Sequence, residues 1–343
     1  MRRVIKIAAA TAATAALAFT ATACGESSTE SAGKGNKGIG LAFDVGGRDD
    51  HSFNESAARG VDKAKEELGI DAKMLTAKNN ETEADREQRL TSLAEAGYNP
   101  VIGVGFNYGK SIGKVAKDFP KTTFAVVDSV SEGKNIDSIV FSEHEGSYLA
   151  GVAAAKKSKT GKVGFIGGVN NALIQKFQAG FEQGVRDTDK KVEVKSEYLY
   201  ANNDKGFNDP AAAKQKAKGM LDRGFDVIYS AAGQSGAGAI EAISAKKGTW
   251  AIGVDSDQYQ QPGLAKYKDS ILTSVVKNVD VAVFDVIKSV KDGKPLTGVN
   301  AYTLKKDGVS LATSGGFIDD IKADIEAAKK KIADGEIKVS QTP

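Results

Sequence analysis

Short apolar runs alternate along this chain with longer stretches in which apolar residues return at helical spacing. Gly38–Phe43 (GIGLAF) reads as a strand and Asn54–Leu68 as a helix. Ala72–Thr76 is a second strand, followed by a helix through Leu93. Val101–Val104, a helix around Ile112–Asp118 and Phe124–Val127 continue the series. It restarts at Lys162–Gly167 and runs through Val192–Leu199, Val227–Ser230 and Trp250–Val254, with helices between. Ile271–Val276 and Val279–Lys291 add one more strand and helix, and Phe317–Asp334 reads as a charged amphipathic helix. Apolar strands in strict alternation with helices predict parallel sheets covered by helices on both faces, an α/β architecture.

The pattern repeats itself. Phe53 opens FNESAARGV and Phe177 opens FQAGFEQGV; in both, six residues separate Phe from a Gly-Val pair. Each Phe stands ten residues past the end of a strand, at Phe43 and at Gly167. Two strands end in Val-Asp-Ser, at Asp128 and Asp255, which lie 75 and 78 residues after Phe53 and Phe177. Two patterns in step predict two similar doubly wound lobes facing each other; the alternative is coincidence within one large α/β domain. The expected division is residues 38–145 with 273–305 for the first lobe, and 146–272 with 306–343 for the second, joined by a multi-strand hinge.

The first residues change the picture of location. Arg2, Arg3 and Lys6 precede a short Ala-rich apolar run from Ile7 to Phe19, the form of a secretory signal over 1–23 and too short for a stable membrane span. It ends at Cys24, the one cysteine of the chain. A single cysteine there resembles the acylation site of bacterial lipoproteins; the alternative is an ordinary cleavage that leaves a free thiol. Residues 24–37, Gly/Ser-rich and polar, read as a flexible tether. The formal charge of +3 falls to zero once the three basic leader residues are removed, so the basic balance gives no argument for nucleic acid as a partner.

Candidate chemistry gathers after the strands, since open parallel sheets bind ligands outside the carboxyl ends of their strands. Phe53 and Phe177 each serve either as packing for a helix start or as aromatic faces on the cleft; their matched positions favour a flat ligand held between two rings. Asp128 and Asp255, at strand ends, offer acceptors to N–H groups or hydroxyls, or else cap turns. Lys277, past a strand, is a donor to a sugar oxygen or a solvated surface lysine. Gly233 allows a close backbone approach ahead of a helix, and Asn54 stands where it can cap one. Asp49 and Asp50 would repel a phosphate; with Asp44 they could bind calcium, but the three lack the spacing of a calcium loop and read best as solvated. With only His51 and His144 there is no histidine-based metal site, and no G-x-S-x-G elbow is present. No cofactor, metal or catalytic residue is expected.

Together these residues carry a resemblance. Asp50-His51-Ser52-Phe53-Asn54, Phe106 within VIGVGFNYGKSI, FAVVDS ending at Asp128-Ser129, GFIGG followed by KFQAGF around Phe177, Gly233 ahead of a helix, GVDSDQ around Asp255, and Lys277 are similar to the bacterial basic membrane protein lipoproteins. The resemblance covers nearly all of the chain beyond the leader. It implies the type I periplasmic binding protein fold and the work of a purine-nucleoside receptor for an ABC importer. By that resemblance Phe53 and Phe177 sandwich the base, and Asp128 bonds its edge with Asn54 nearby. Asp255, Gly233 and Lys277 hold the ribose, and Asp50, Ser52 and Phe106 complete the site. His51 stands where the family more often has Lys or a small residue, which bears on base preference. The expectation is therefore a lipid-anchored monomer on the outer face of the cell membrane, with a nucleoside and a permease as partners. A sugar or autoinducer receptor is the alternative of the same kind, and a nucleoside-cleaving enzyme the alternative of another. An effector lobe of a transcription regulator needs a DNA-binding helix pair where the leader stands.

Overall fold

In the computed structural model residues 36–343 are described; the leader, Cys24 and the tether up to residue 35 lie outside the described residues. The first sheet is begun by β1 (Ile39–Ala42), β2 (Ala72–Leu75), β3 (Val101–Val104), β4 (Phe124–Val127) and β5 (Ile136–Phe141), interleaved with α1 (Phe53–Leu68), α2 (Glu83–Glu95) and α3 (Tyr108–Val115). The chain crosses at α4 (Glu143–Lys157) into the second sheet: β6 (Lys162–Val169), β7 (Glu193–Tyr200), β8 (Val227–Ala231), β9 (Trp250–Asp255) and β10 (Ile271–Lys277), with α5 (Ala172–Thr188), α6 (Pro210–Asp222) and α7 (Gly236–Ser244). It returns through α8 (Val279–Lys291) to β11 (Gly298–Tyr302), then crosses a third time to β12 (Val309–Leu311) and α9 (Lys322–Ala333).

The strand orders are β11-β5-β4-β3-β1-β2 and β12-β10-β9-β8-β6-β7. They correspond place for place, β1 with β6, β3 with β8 and β4 with β9, so the repeat seen in the sequence is a repeat of topology. Within each sheet the neighbours are parallel except β12, which runs antiparallel to β10. β1, β3 and β4 are buried at every position, as expected of strands covered on both faces.

The repeated Gly-Val pairs have a packing role. A β-carbon on Gly60 would overlap the Asp280 carbonyl oxygen, and one on Gly184 that of Tyr148. In each lobe, then, the helix carrying the repeated motif lies backbone to backbone on the helix that enters from a crossing, α1 on α8 and α5 on α4. Gly184→Val is expected to force α4 and α5 apart and to lower stability by about 3 kcal/mol or more, measurable by urea unfolding. A loss under about 1 kcal/mol would show that the helices part cheaply.

Several boundaries differ from expectation. β10 pairs with β9 and β12, so the return to the first lobe falls after Lys277, not at 273. β5, α4, β11 and β12 carry no simple period. From Glu143 to Ala154 every residue of α4 except Glu145 is buried, leaving no polar stripe to mark a helix. The last helix begins at Lys322 rather than Phe317, because Phe317 turns inward onto Trp250, ring centroids 4.9 Å apart. Among the described residues no helix is long and apolar enough to cross a membrane.

Candidate functional site

The carboxyl ends of both sheets face one cleft, which encloses about 550 Å³ of empty space including its mouth. Of the ten residues expected to bind ligand, nine line this cavity: Asp50, Phe53, Asn54, Phe106 and Asp128 from the first lobe, and Phe177, Gly233, Asp255 and Lys277 from the second. Ser52 stands behind the wall, donating its hydroxyl to Asp255 Oδ2 at 2.6 Å.

Asp128 and Asp255 end β4 and β9 with the same unusual backbone, φ 69° and 63°. Non-glycine residues seldom adopt the left-handed region, and the two matched turns aim both carboxyl groups into the cleft. Between them lies Lys277. Its ammonium is 2.6 Å from Asp128 Oδ2 and 3.8 Å from Asp255 Oδ1 and is only 2 % exposed, which sets aside the reading of a surface lysine. It lies 4.6 Å from the ring centroid of Phe53, 5.3 Å from Phe141 and 5.6 Å from Phe177. Burial works against its charge, but Asp128, Asp255 and Glu143 overcome it and hold the lysine above its usual pKa. Burial also raises the Asp255 carboxyl, with Lys277 and Ser52 opposing.

The loop from Asp44 to Asn54 is organised otherwise than expected. Asp50 is buried, and its carboxylate accepts from the backbone N–H groups of Ser52, Asn54 and Glu55 at 2.9, 2.8 and 3.0 Å. Asp50 therefore caps α1, the role expected of Asn54. The Asn54 side chain instead ties the loop, accepting from the Asp44 N–H at 2.9 Å and donating to the Val45 carbonyl at 3.0 Å. Of the three acids read as solvated, only Asp49 is exposed. Burial pushes Asp50 up to about 7 against its three backbone donors. His51 does not line the cavity; its ring lies against Gly263 of the other lobe.

Two residues, Phe207 and Glu143, escaped sequence reasoning, and a third, Asp44, reads there as a solvated loop acid. Asp44 lines the cavity, and burial lifts its carboxyl to about 7 against the Val45 N–H donor. Phe207, on a short turn of 3₁₀ helix (Asp204–Phe207), lines the cavity and meets Phe106 of the first lobe edge-on at 6.4 Å, next to a 2.9 Å hydrogen bond from Asn107 to Asp204. Glu143, at the start of α4, is 1 % exposed with Lys176 3.6 Å away; burial raises it to about 7. The Gly-Phe-Asn-Asp-Pro segment after β7 was the available signal for Phe207, while nothing local marks Glu143.

Asp44 and Glu143 make stability fall as pH rises. Folded carboxyls near 7 bind protons that unfolded ones have released above about 4, so this stabilisation is present at acid pH and is lost between about 4 and 7. Thermal unfolding is expected at higher temperature at pH 5 than at pH 8, with a smaller difference in Asp44→Asn. An identical pH dependence in that variant would remove Asp44 from the account.

Two like-built α/β lobes, connected by three crossings and closed over an aromatic, carboxylate-rimmed cavity, define a two-lobed solute-binding protein. Residues 39–342 match the family Bmp, described as ABC transporter substrate-binding protein PnrA-like. The chain belongs to this family and is a substrate-binding protein of ABC transport. It is 35% identical over 314 residues to the ABC transporter nucleoside-binding protein BmpA of Lactococcus lactis, covering 87% of this chain and 88% of that one. It is 36% identical to the CD4+ T-cell-stimulating antigen of Listeria innocua, over 94% of both chains. The crystal structure of an ABC transporter solute-binding protein from Aeropyrum pernix superposes with a TM-score of 0.77 at 29% identity, covering 89% of this chain and 93% of that one.

Proposed function

We propose that this protein captures purine nucleosides in the cleft and delivers them to an ABC permease, as a monomer held on the outer face of the cell membrane by an acyl chain on Cys24. The observation that carries the reading is the lining of the cavity. Phe53, Phe106, Phe177 and Phe207 supply faces for a flat ring, and Asp44, Asp128 and Asp255 supply acceptors for its N–H groups and for sugar hydroxyls. Among the described residues Lys277 is the sole basic one lining it, already balanced by carboxylates, so a phosphate-bearing ligand would meet net repulsion. The name of the Lactococcus lactis relative points the same way. Hinge closure follows if contacts from both lobes to one ligand favour the closed form.

The test is a thermal-shift and calorimetry panel of purine and pyrimidine nucleosides, free bases, ribose and common sugars on the unacylated protein from residue 25 on. A ligand binding only the folded state adds about 2.7 kcal/mol of stability at 100 times its Kd. Purine nucleosides are expected to give the largest shifts. A response to sugars alone would turn the assignment to a sugar receptor. Recovery of free base and ribose after incubation would turn it to an enzyme.

A further inference from the structure

The lobes also meet outside the cavity, where the turn before α1 enters the segment after β9. His51 takes a left-handed backbone, φ 55°. Its carbonyl accepts from Gln258 Nε2 at 3.0 Å. The Ser52 hydroxyl donates to Asp255 Oδ2, and the Ser52 carbonyl accepts from the Ser256 hydroxyl at 2.7 Å. Arg59 Nη1 donates to Ser256 Oγ at 3.2 Å. Gln258 is itself positioned, its N–H donating to Ser274 Oγ at 3.1 Å and its side-chain oxygen accepting from the Val254 N–H at 3.3 Å. Two adjacent residues of one lobe thus engage a prepared segment of the other.

The His51 ring gives this engagement its register. A β-carbon on Gly263 would overlap Nε2 of the ring and stand 2.5 Å from Cε1 and 2.9 Å from Cδ2. Gly263 has no left-handed backbone, and it follows Pro262 at the start of the 3₁₀ helix Pro262–Ser270. Its conformation is open to any residue; what a side chain there would meet is the ring of the opposite lobe, which would have to shift. On the other side the ring is steadied by Glu55, whose Oε2 is 3.3 Å from Nδ1.

We propose that the His51-Ser52 turn seated on Val254–Gly263 is a clasp that holds the cleft shut before any ligand arrives, with the His51 ring on Gly263 as its register. His51 and Gly263 are positioning residues, since neither lines the cavity. A receptor closed at rest admits ligand only through its open fraction and then retains it, so the clasp slows both entry and release. This second consequence rests on the nucleoside reading; the clasp itself does not.

The experiment is small-angle X-ray scattering on the ligand-free protein, comparing wild type, Gly263→Val, His51→Ala and the double variant. Wild type, His51→Ala and the double variant are expected to share a compact radius of gyration, while Gly263→Val alone is expanded. Three results overturn the proposal: an expanded wild type, a Gly263→Val as compact as wild type, or an expansion that persists when His51 is also replaced. Cooperative unfolding of each variant separates opening from misfolding, and a Gly263→Val that misfolds with or without His51 counts against the clasp. With inosine as the probe, release from Gly263→Val is expected to be about tenfold faster than from wild type. If no nucleoside binds any variant the ligand assignment fails, and the scattering result stands by itself.

Discussion

Replacing Lys277 with methionine is expected to lower stability by about 3–5 kcal/mol, the usual effect of removing one partner from a buried ion pair. The lysine is the cation shared by Asp128 of the first lobe and Asp255 of the second, and methionine keeps most of its volume. What is lost is charge, leaving two carboxylates facing each other in a cavity with few other donors. One of them can recover by taking up a proton, which raises its pKa in the folded state. A raised carboxyl stabilises the fold at acid pH and ceases to do so as pH rises. The gap between variant and wild type should therefore widen from pH 5 to pH 8. Urea unfolding at both pH values checks this, and a loss under about 1 kcal/mol at pH 8 would mean that water, not Lys277, balances the two acids.

The second large effect is on ligand. Phe177 is 3 % exposed, lines the cavity and belongs to the main hydrophobic core. Alanine there would confuse lost stacking with a lost core side chain, which by itself costs about 3–5 kcal/mol. Leucine is the better probe, since it keeps much of the apolar volume and removes the flat face. If a base stacks on Phe177, Phe177→Leu should bind purine nucleosides about 10- to 100-fold more weakly, matching about 1–3 kcal/mol for an aromatic–base contact. Calorimetry gives the affinity, and thermal unfolding without ligand reports the packing change separately. Unchanged affinity would exclude the sandwich and leave Phe106 and Phe207, which meet edge-on in the cavity wall, as the remaining aromatic pair.

The sequence was informative where one residue type answers to one local rule. Apolar runs buried on both faces identified β1, β3, β4, β6, β8 and β9 within a residue or two at most ends. Phe53, Phe177, Asp128 and Asp255 were legible because each occurs twice at matching distance from a strand. Local rules also misled. Asn54 stands where a helix cap belongs, yet the cap is Asp50, because a buried carboxylate can accept from three N–H groups at once. Asp44 and Asp50 resembled solvated loop acids, since acidic composition carries no record of burial.

The amino-acid sequence by itself determined the alternation of strand and helix, the doubling into two lobes and the strand ends on which the cleft is built. These follow from hydrophobic period and short-range spacing, which are properties of contiguous residues. Only the tertiary structure decided that Lys277 is the shared cation of the cleft, that Glu143 lies buried beside Lys176, that Phe207 meets Phe106 and that His51 rests on Gly263. Each joins residues far apart in the chain, several of them from opposite lobes. Charge, burial and fit at such places depend on how the two sheets are set against each other, and no local pattern encodes that.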